Sequence, residues 1–266
     1  MIKKHTSYIV LVFLFFILSI KAQSEFKFYG TNDNVQSIRF QLINNLIVIP
    51  VDVNGSHLSF ILDTGVDKTI LFNLSKVDSV GLNNVKKITL QGLGDGTPVE
   101  ALLSQKNNIK IKSYISTNEN IYVILRDKFD ISSKMGITIH GVIGHSLLKD
   151  AIVKINYNTK MIYFYNPQTF KISSCKKCEV FPLQFYRNKP YIKAKVQLDT
   201  IGNIKTAVKL LIDTGGSDAI WLFENTKEVI KTPKRSFRDI LGEGFSGTIY
   251  GNRSRVKELS LVSYHK

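Results

Sequence analysis

The order of apolar and polar residues indicates a chain that is built mainly from β-strands. Residues 38–62 alternate or run apolar on both sides of Asn54-Gly55, a dipeptide that is typical of a two-residue hairpin turn. Residues 86–124 indicate further short strands that are broken by glycine and asparagine. This part of the chain therefore predicts a series of strands and tight turns.

The middle of the chain adds one short helical signal. Residues 141–150 (GVIGHSLLKD) predict the end of an apolar strand, a glycine and one or two helical turns. Residues 151–167 alternate again, with a hairpin turn at Asn158-Thr159. Because strands dominate and the helices are short, the whole pattern predicts an all-β fold.

The pattern then starts a second time. The segments FQLINNLIVIPVDV (40–53) and FPLQFYRNKPYIKAKV (181–196) are alike, and each leads through a hairpin to an Asp-Thr-Gly triplet. The triplets are Asp63-Thr64-Gly65 and Asp213-Thr214-Gly215. Two apolar residues precede each triplet, and a glycine-rich strand turn follows it. A duplicated lobe explains this repeat more simply than coincidence, and two copies of one lobe can bring two aspartates face to face.

Composition and charge narrow the classes of function. The 266 residues are 44% hydrophobic with few prolines, which is typical of a globular protein and argues against disorder. The formal charge is +15, but the basic residues are scattered, and no RNA- or DNA-binding motif accompanies them. We interpret the charge as a solvated lysine surface and expect no nucleic-acid partner.

The N-terminal residues have the features of a secretory signal peptide. Lys3 and Lys4 precede an unbroken apolar run in residues 9–20, and Ala22 is a plausible cleavage point. The run is short for a membrane span, although an uncleaved anchor is an alternative interpretation. We therefore expect an exported protein, periplasmic or extracellular, with no stable membrane span after cleavage.

The two cysteines, Cys175 and Cys178, form a CKKC motif in a polar stretch. A zinc site needs about four ligands, and no second Cys or His pair has suitable spacing. A thioredoxin-like redox site would need a strand-to-helix context, which this stretch lacks. In an oxidising compartment a local structural disulfide is the better interpretation.

These features resemble the retropepsin-like aspartyl proteases, especially the exported bacterial type with two lobes in one chain. The resemblance is carried by the two Asp-Thr-Gly triplets with their apolar flanks and by Val142-Ile143-Gly144. In this family such an apolar-apolar-glycine element packs beneath the Asp-Thr-Gly loop. The segment GVIGHSLLKDAIVKINYNTKMIYFY also resembles the family's lobe-closing segment. The resemblance implies a bilobal acid-protease fold with two related β-barrel-like lobes.

The resemblance implies that Asp63 and Asp213 are the catalytic pair of an aspartic-type endopeptidase. Two carboxyls that lie a few ångströms apart cannot both ionise cheaply, so the pair holds one proton between them. The charged member takes a proton from a water that attacks the peptide carbonyl. The protonated member hydrogen-bonds the carbonyl oxygen and later helps to protonate the leaving nitrogen. Because the pair titrates as a unit, neither role is assigned to one aspartate.

Neighbouring residues support the pair in this interpretation. Gly65 and Gly215 allow tight loops that present the carboxylates. The resemblance implies that the hydroxyls of Thr64 and Thr214 hydrogen-bond across the lobes. Ser217 stands where it could hydrogen-bond the dyad.

The glycine-rich segments and one acidic residue admit two interpretations each. The candidate flap residues are Gly92, Gly94, Gly96, Gly242 and Gly244. A plain surface hairpin and a flap that closes over a substrate fit them equally well. The second segment also matches a dinucleotide-binding fingerprint, but it has the pattern of a strand and a turn, so we reject nucleotide binding. Retropepsins often place a substrate-contacting acid at the position of Asp67, and a solvated surface acid is an equal alternative.

The assignments divide the chain into four parts. We expect a signal peptide in residues 1–22, a first lobe in 23–170, a linker with the CxxC pair in 171–180 and a second lobe in 181–266. The segment that begins at Gly141 lies 78 residues after Asp63, and the same spacing from Asp213 falls at residue 291. We therefore expect an incomplete second lobe without the PDZ domain that exported relatives often carry.

Two hypotheses of function remain open. The first is an endopeptidase that uses Asp63 and Asp213. The second is a non-catalytic exported binding protein that kept the fold and a peptide groove. Both imply a peptide or protein partner. Neither implies a metal or another cofactor, because a His-Glu-x-x-His motif and suitably spaced histidines are lacking. The sequence leaves the oligomeric state open.

Overall fold

The structure, a computed structural model, describes residues 24–30, 34–72, 80–91, 97–125, 131–198, 203–244 and 246–261. Strands dominate these residues and the helices among them are short, so the all-β prediction is confirmed. In this part of the chain, no helix has the length and apolar character needed to cross a membrane. The expected signal peptide, residues 1–22, lies outside the described residues.

Two sheets and two short helices form the first lobe. The nine-stranded sheet contains β1 (Lys27–Phe28), β3 (Gln41–Ile43), β4 (Leu46–Val53), β5 (Ser56–Leu62), β6 (Thr69–Leu71), β7 (Lys86–Leu90), β8 (Val99–Ile111), β9 (Tyr114–Ile124) and β10 (Gly141–Ile143). The three-stranded sheet contains β2 (Val35–Arg39), β11 (Ile152–Asn156) and β12 (Met161–Tyr165). The helices are α1 (Ile131–Met135) and α2 (His145–Leu148).

The first lobe closes into a barrel, as expected. The strands pair in the order β9-β6-β10-β5-β4-β8, and β8 also pairs with β9, which completes a ring. The apolar side chains inside this ring, among them Ile49, Phe60 and Ile121, are fully buried. Closure removes free strand edges on this ring and gives its strands a common core.

The local turn predictions are confirmed. Asn54 and Gly55 have φ angles of 50° and 90° and join β4 to β5, as a two-residue turn of the I′ type requires. The alternating residues 151–167 form the β11–β12 hairpin around the expected turn. The segment GVIGHSLLKD forms β10, a glycine and the single turn α2.

The prediction of short strands in residues 86–124 is wrong for two of its three strands. β8 has 13 residues and β9 has 11, and they pair as one long hairpin. Asn107, which looked like a break, is buried within β8, and its amide group donates to the carbonyl of Glu119 at 3.2 Å. The register shifts beside Asn107 mark a bulge that absorbs the residue without ending the strand.

The second lobe is more open in the part that is described. β13 (Gln184–Tyr186), β14 (Lys189–Leu198), β15 (Thr206–Leu211) and β18 (Val256–Leu261) form a four-stranded sheet, and β16 (Phe237–Gly244) pairs with β17 (Gly247–Arg253) as a separate hairpin. Within residues 184–261 as described, the strands form an open sheet and a separate hairpin. Its fully buried apolar residues are few, mainly Ile192, Ala194 and Val196 on β14.

The segment between the lobes is exposed and carries a disulfide. Every residue from 171 to 180 is exposed. Cys175 and Cys178 are bonded to each other, so the prediction of a local disulfide is confirmed. The disulfide lies between β12 and β13, outside the sheets of both lobes, and closes a small loop in the linker.

Candidate active site

The Asp63 loop is held from below by β10. β10 runs parallel to β5 and antiparallel to β6, so it fills the space between the two strands that the loop connects. The N–H of Asp63 donates to the carbonyl of Ile143 at 2.9 Å, and the N–H of His145 donates to the carbonyl of Val66 at 2.9 Å. A β-carbon on Gly144 would lie 2.1 Å from the Asp63 carbonyl oxygen. The expected packing of the apolar-apolar-glycine element is therefore present, and it needs glycine.

The Asp213 loop follows β15 in the second lobe. The N–H of Ile212 donates to the carbonyl of Pro190 at 2.9 Å, which continues the pairing of β15 with β14. The same order of elements, a hairpin turn followed by two long paired strands, leads to Asp63. Similar local structure thus delivers each triplet to the end of a strand.

The two threonines join the loops by reciprocal hydrogen bonds. The hydroxyl of Thr64 donates to the carbonyl of Ile212 at 2.5 Å, and the hydroxyl of Thr214 donates to the carbonyl of Leu62 at 2.7 Å. Each hydroxyl also accepts a hydrogen bond from the N–H of the other threonine, at 3.0 and 3.1 Å. Four hydrogen bonds with approximate two-fold symmetry therefore hold the triplets together.

This arrangement brings the carboxyl groups of Asp63 and Asp213 into contact. The side chain of Asp213 acts on Asp63 both through its negative charge and as a hydrogen-bond partner, and both effects raise the pKa of Asp63. Within each loop the glycine N–H donates to the aspartate, at 2.7 Å from Gly65 and 2.8 Å from Gly215. The backbone therefore fixes the direction in which each carboxyl group points.

The glycines of the triplets are needed for space rather than for an unusual backbone angle. Neither has a positive φ. A β-carbon on Gly215 would lie 2.2 Å from Cγ of Asp63, and one on Gly65 would lie 3.1 Å from Oδ2 of Asp213. Each glycine is thus covered by the carboxyl group of the opposite aspartate, which is a different reason from the tight loop inferred from the sequence.

Burial raises the pKa of Asp63 from 3.8 to about 7, and the negative charge of Asp213 acts in the same direction. The hydrogen bond from the Gly65 N–H and the positive charge of Lys189 act in the opposite direction. The carboxyl of Asp63 therefore keeps its proton at mildly acidic pH, beside the carboxyl of Asp213. Such a pair can offer a base and an acid at the same time.

The structure describes some of the other residues that the sequence suggested for the site. Asp67 lines a pocket of about 270 Å³, and Asn188 of the second lobe also lines it. Ser217 is exposed on the loop that follows Asp213, and its suggested contact with the dyad stays a prediction. Gly92, Gly94 and Gly96 lie outside the described residues.

Gly242 and Gly244 belong to the β16–β17 hairpin, which excludes the strand-to-helix geometry of a dinucleotide site. Glu243, between these glycines, accepts a hydrogen bond from Nζ of Lys134 on α1 at 2.9 Å. Met135, the next residue of α1, packs in the same apolar cluster as Val66 of the Asp63 loop. The tip of the hairpin therefore contacts the lobe that carries Asp63.

Sequence reasoning missed a charged cluster at the base of this hairpin. Arg253 at the end of β17 contacts Asp239 on β16 and Asp218, which follows Asp213 by five residues. The indole N–H of Trp221 donates to the same Asp218 at 2.8 Å. No local spacing in the sequence connects Arg253 with residues so far along the chain.

Residues 49–147 match the model of a protein family described as aspartyl protease. The matched range contains the Asp63 loop, β10 and Gly144. Asp213 lies outside the matched range. Its place in the site therefore depends on the hydrogen bonds between the two loops. No curated protein matches the chain.

Two solved structures illustrate the likeness. One is a retropepsin-like aspartic protease from Rickettsia conorii, with 17% sequence identity, a TM-score of 0.36, and coverage of 52% of this chain and 97% of that one. The other is the EIAV protease in complex with the inhibitor HBY-793, with 21% identity, a TM-score of 0.28, and coverage of 39% of this chain and 85% of that one.

Proposed function

We propose that the protein is an aspartic-type endopeptidase whose catalytic pair is Asp63 and Asp213. The observation that carries this proposal is the contact between the two carboxyl groups, which the threonine hydrogen bonds between the loops maintain. The match of residues 49–147 to an aspartyl protease family supports the same function for the half of the site that contains Asp63.

The chemistry follows from one proton shared between two carboxyl groups. The ionised carboxylate accepts a proton from a water molecule, and the resulting nucleophile attacks the peptide carbonyl carbon. The protonated carboxyl donates a hydrogen bond to the carbonyl oxygen as negative charge develops there. When the tetrahedral intermediate collapses, the pair passes the proton that it took from water to the leaving nitrogen, and the C–N bond breaks. The pair is left with one proton, ready for the next cycle.

The substrate in this proposal is an extended peptide that lies between the dyad and the β16–β17 hairpin. The base of the hairpin contacts Asp218 near Asp213, and its tip contacts Lys134 in the lobe of Asp63. A hairpin with these two contacts reaches from the Asp213 loop to helix α1 of the lobe that carries Asp63, which is consistent with a flap over the dyad. Asp67 is placed by the same proposal in the wall of a flanking substrate pocket.

The test is cleavage of short random-sequence peptides by the parent, Asp63→Asn and Asp213→Asn, followed by mass spectrometry at mildly acidic pH. We expect each substitution to lower the rate by about 10²-fold or more, because one carboxyl can no longer exchange protons. Asp52→Asn, on β4, is the control and should keep the parent rate. A statine-type peptide, which resembles the tetrahedral intermediate, should inhibit the parent.

The outcomes separate the two hypotheses of function. Cleavage by Asp213→Asn at the parent rate would overturn the assignment of the dyad. Binding of the statine-type peptide by a parent that cleaves none of the peptides would instead support the non-catalytic binding protein.

Export is a further part of the proposal. It is supported by the apolar run in residues 9–20 and is consistent with the disulfide in the linker. N-terminal sequencing of the mature protein should begin at Gln23. A mature chain that begins at Met1 would show that the segment is retained.

A further inference from the structure

The guanidinium group of Arg253 connects the β16–β17 hairpin to the loop that carries Asp213. Its Nε donates to Oδ2 of Asp239 at 2.5 Å, which lies on the neighbouring strand of the hairpin. Its Nη1 donates to Oδ1 of Asp218 at 2.6 Å. One planar side chain thus bridges two carboxylates, an arrangement that suits arginine and not the single ammonium group of lysine.

Asp218 is held from two sides. It accepts one hydrogen bond from Arg253 and another from the indole N–H of Trp221. Burial alone would raise the pKa of Asp218, but these hydrogen bonds outweigh burial and lower it. The carboxylate therefore remains ionised under mildly acidic conditions and keeps its bond to Arg253.

The two aspartate loops differ in their support. β10 and Gly144 pack beneath the Asp63 loop, and β10 supplies hydrogen bonds to its backbone. In the described part of the second lobe, no strand takes the corresponding place beside the Asp213 loop. Ile212, directly before the triplet, is 38% exposed. The contact between Arg253 and Asp218 thus attaches the loop that has less support from neighbouring strands.

We propose that Arg253 is a positioning residue for the dyad, which holds the Asp213 loop against the base of the β16–β17 hairpin. This inference rests on the proposed function of the dyad. Arg253 has no contact with either catalytic carboxyl, so it acts through Asp218 and the short segment that joins Asp218 to Asp213. The same contact couples the position of the hairpin to the position of Asp213.

The experiment compares Arg253→Gln and Arg253→Lys with the parent and with Arg238→Gln. Arg238 is a matched control, because it lies on the same hairpin but stacks on Tyr250 of the neighbouring strand and not on the Asp213 loop. Rates are corrected for the folded fraction by titration with the statine-type peptide. We expect kcat to fall on the order of 10- to 100-fold in Arg253→Gln, with an intermediate loss in Arg253→Lys and no loss in Arg238→Gln.

The pH profile separates positioning from a loss of folded protein. If the Asp213 loop loosens, the two carboxyls move apart and the charge of Asp213 raises the pKa of Asp63 less. The alkaline limb of the kcat/KM profile should then move to lower pH in Arg253→Gln. A smaller folded fraction would lower the rate without moving this limb. An unmoved limb in both Arg253 variants would overturn the proposal.

A second measurement needs no activity. Trp221 is the single tryptophan of the chain and contacts Asp218, so its fluorescence reports on this cluster. Arg253→Gln should shift the emission and raise amide exchange in residues 212–221, and Arg238→Gln should change neither. Failure of the proposed function would appear as cleavage by Asp213→Asn, whereas failure of this inference would appear as unchanged emission and exchange in Arg253→Gln.

Discussion

Gly215 lies directly against the carboxyl group of Asp63, and this contact between the loops leaves no room for a side chain at residue 215. A β-carbon at residue 215 would come within 2.2 Å of Asp63 Cγ and 2.3 Å of its Oδ2. The Asp63 carboxyl cannot simply turn away, because the Gly65 N–H holds its other oxygen at 2.7 Å. The carboxyl group of Asp63 therefore fills the space beside Gly215.

We predict that Gly215→Ala abolishes peptide cleavage. Either the Asp63 carboxyl moves or the Asp213 loop moves, and both changes break the contact that allows the pair to share a proton. Gly216→Ala is the matched control. A β-carbon there would meet its nearest atom, Cγ of Asp213, at 3.8 Å, which is ordinary contact. Cleavage by Gly215→Ala at the rate of Gly216→Ala would show that the loops are farther apart in solution.

A second prediction concerns the hydrogen bonds between the threonines. Thr64→Val removes a hydroxyl that both donates to Ile212 and accepts from Thr214. The N–H of Thr214 that loses its partner is partly buried, whereas the hydrogen bond to the Ile212 carbonyl is exposed, so we expect the free energy of unfolding to fall by about 0.5–1.5 kcal/mol. Thr64→Ser keeps the hydroxyl and should cost less. Equal losses for the two variants in chemical denaturation would mean that the hydroxyl contributes no more to stability than the methyl group that Thr64→Ser removes.

The part of the site that lies within short stretches of sequence could be predicted. The turn at Asn54-Gly55 and the strand-glycine-turn order around Gly144 are local patterns, and local backbone preferences decide them. The proximity of the two triplets could be predicted because the same order of strands and hairpin turn precedes each of them. That order does not decide which way a side chain points, so the suggested contact of Ser217 with the dyad stays a prediction.

The contacts between distant residues could not be predicted. Arg253 and Asp218 are 35 residues apart, and Lys134 and Glu243 are 109 apart. Charged residues such as these are common on any surface, so sequence alone does not tell which acid meets which base. The long β8–β9 hairpin was missed for a related reason, because Asn107 finds its hydrogen-bond partner on the paired strand.

The raised pKa of Asp63 leads to a prediction about stability. Between about pH 4 and about pH 7 the folded chain holds a proton on Asp63 that the unfolded chain releases, so this residue makes stability fall as pH rises. Asp63→Asn removes that loss. In thermal unfolding, the stability of Asp63→Asn relative to the parent should therefore increase across this range and then level off.

Asp218→Asn provides a comparison of opposite sign. Because the pKa of Asp218 is lowered, its contribution to stability is present above about pH 4 and is lost as pH falls further. The parent should thus exceed Asp218→Asn near neutral pH and lose this advantage in acid. Parallel pH curves for the parent and Asp63→Asn would mean that Asp63 titrates normally in the folded protein.

The last prediction concerns the tip of the β16–β17 hairpin, which the ion pair between Glu243 and Lys134 attaches to the first lobe. The side chain of Lys134 is 62% exposed and that of Glu243 is 30% exposed. The ion pair therefore contributes less than about 1 kcal/mol to the free energy that holds the hairpin tip in place. We change Lys134, since Glu243 also accepts a hydrogen bond from Thr248 within the hairpin. At low ionic strength, Lys134→Gln should raise amide exchange in residues 237–253 by up to about 5-fold.

Salt provides the internal check on this prediction, because the screening length falls to about 3 Å at 1 M ionic strength, which is close to the separation of this exposed ion pair. The difference between Lys134→Gln and the parent should therefore shrink as salt is added. Lys205→Gln is the matched control, since Lys205 pairs with Glu258 inside the second lobe and spans no cleft. It should leave exchange in the hairpin unchanged. A difference that persists at high salt would mean that the aliphatic part of Lys134, and not its charge, holds the hairpin tip against α1.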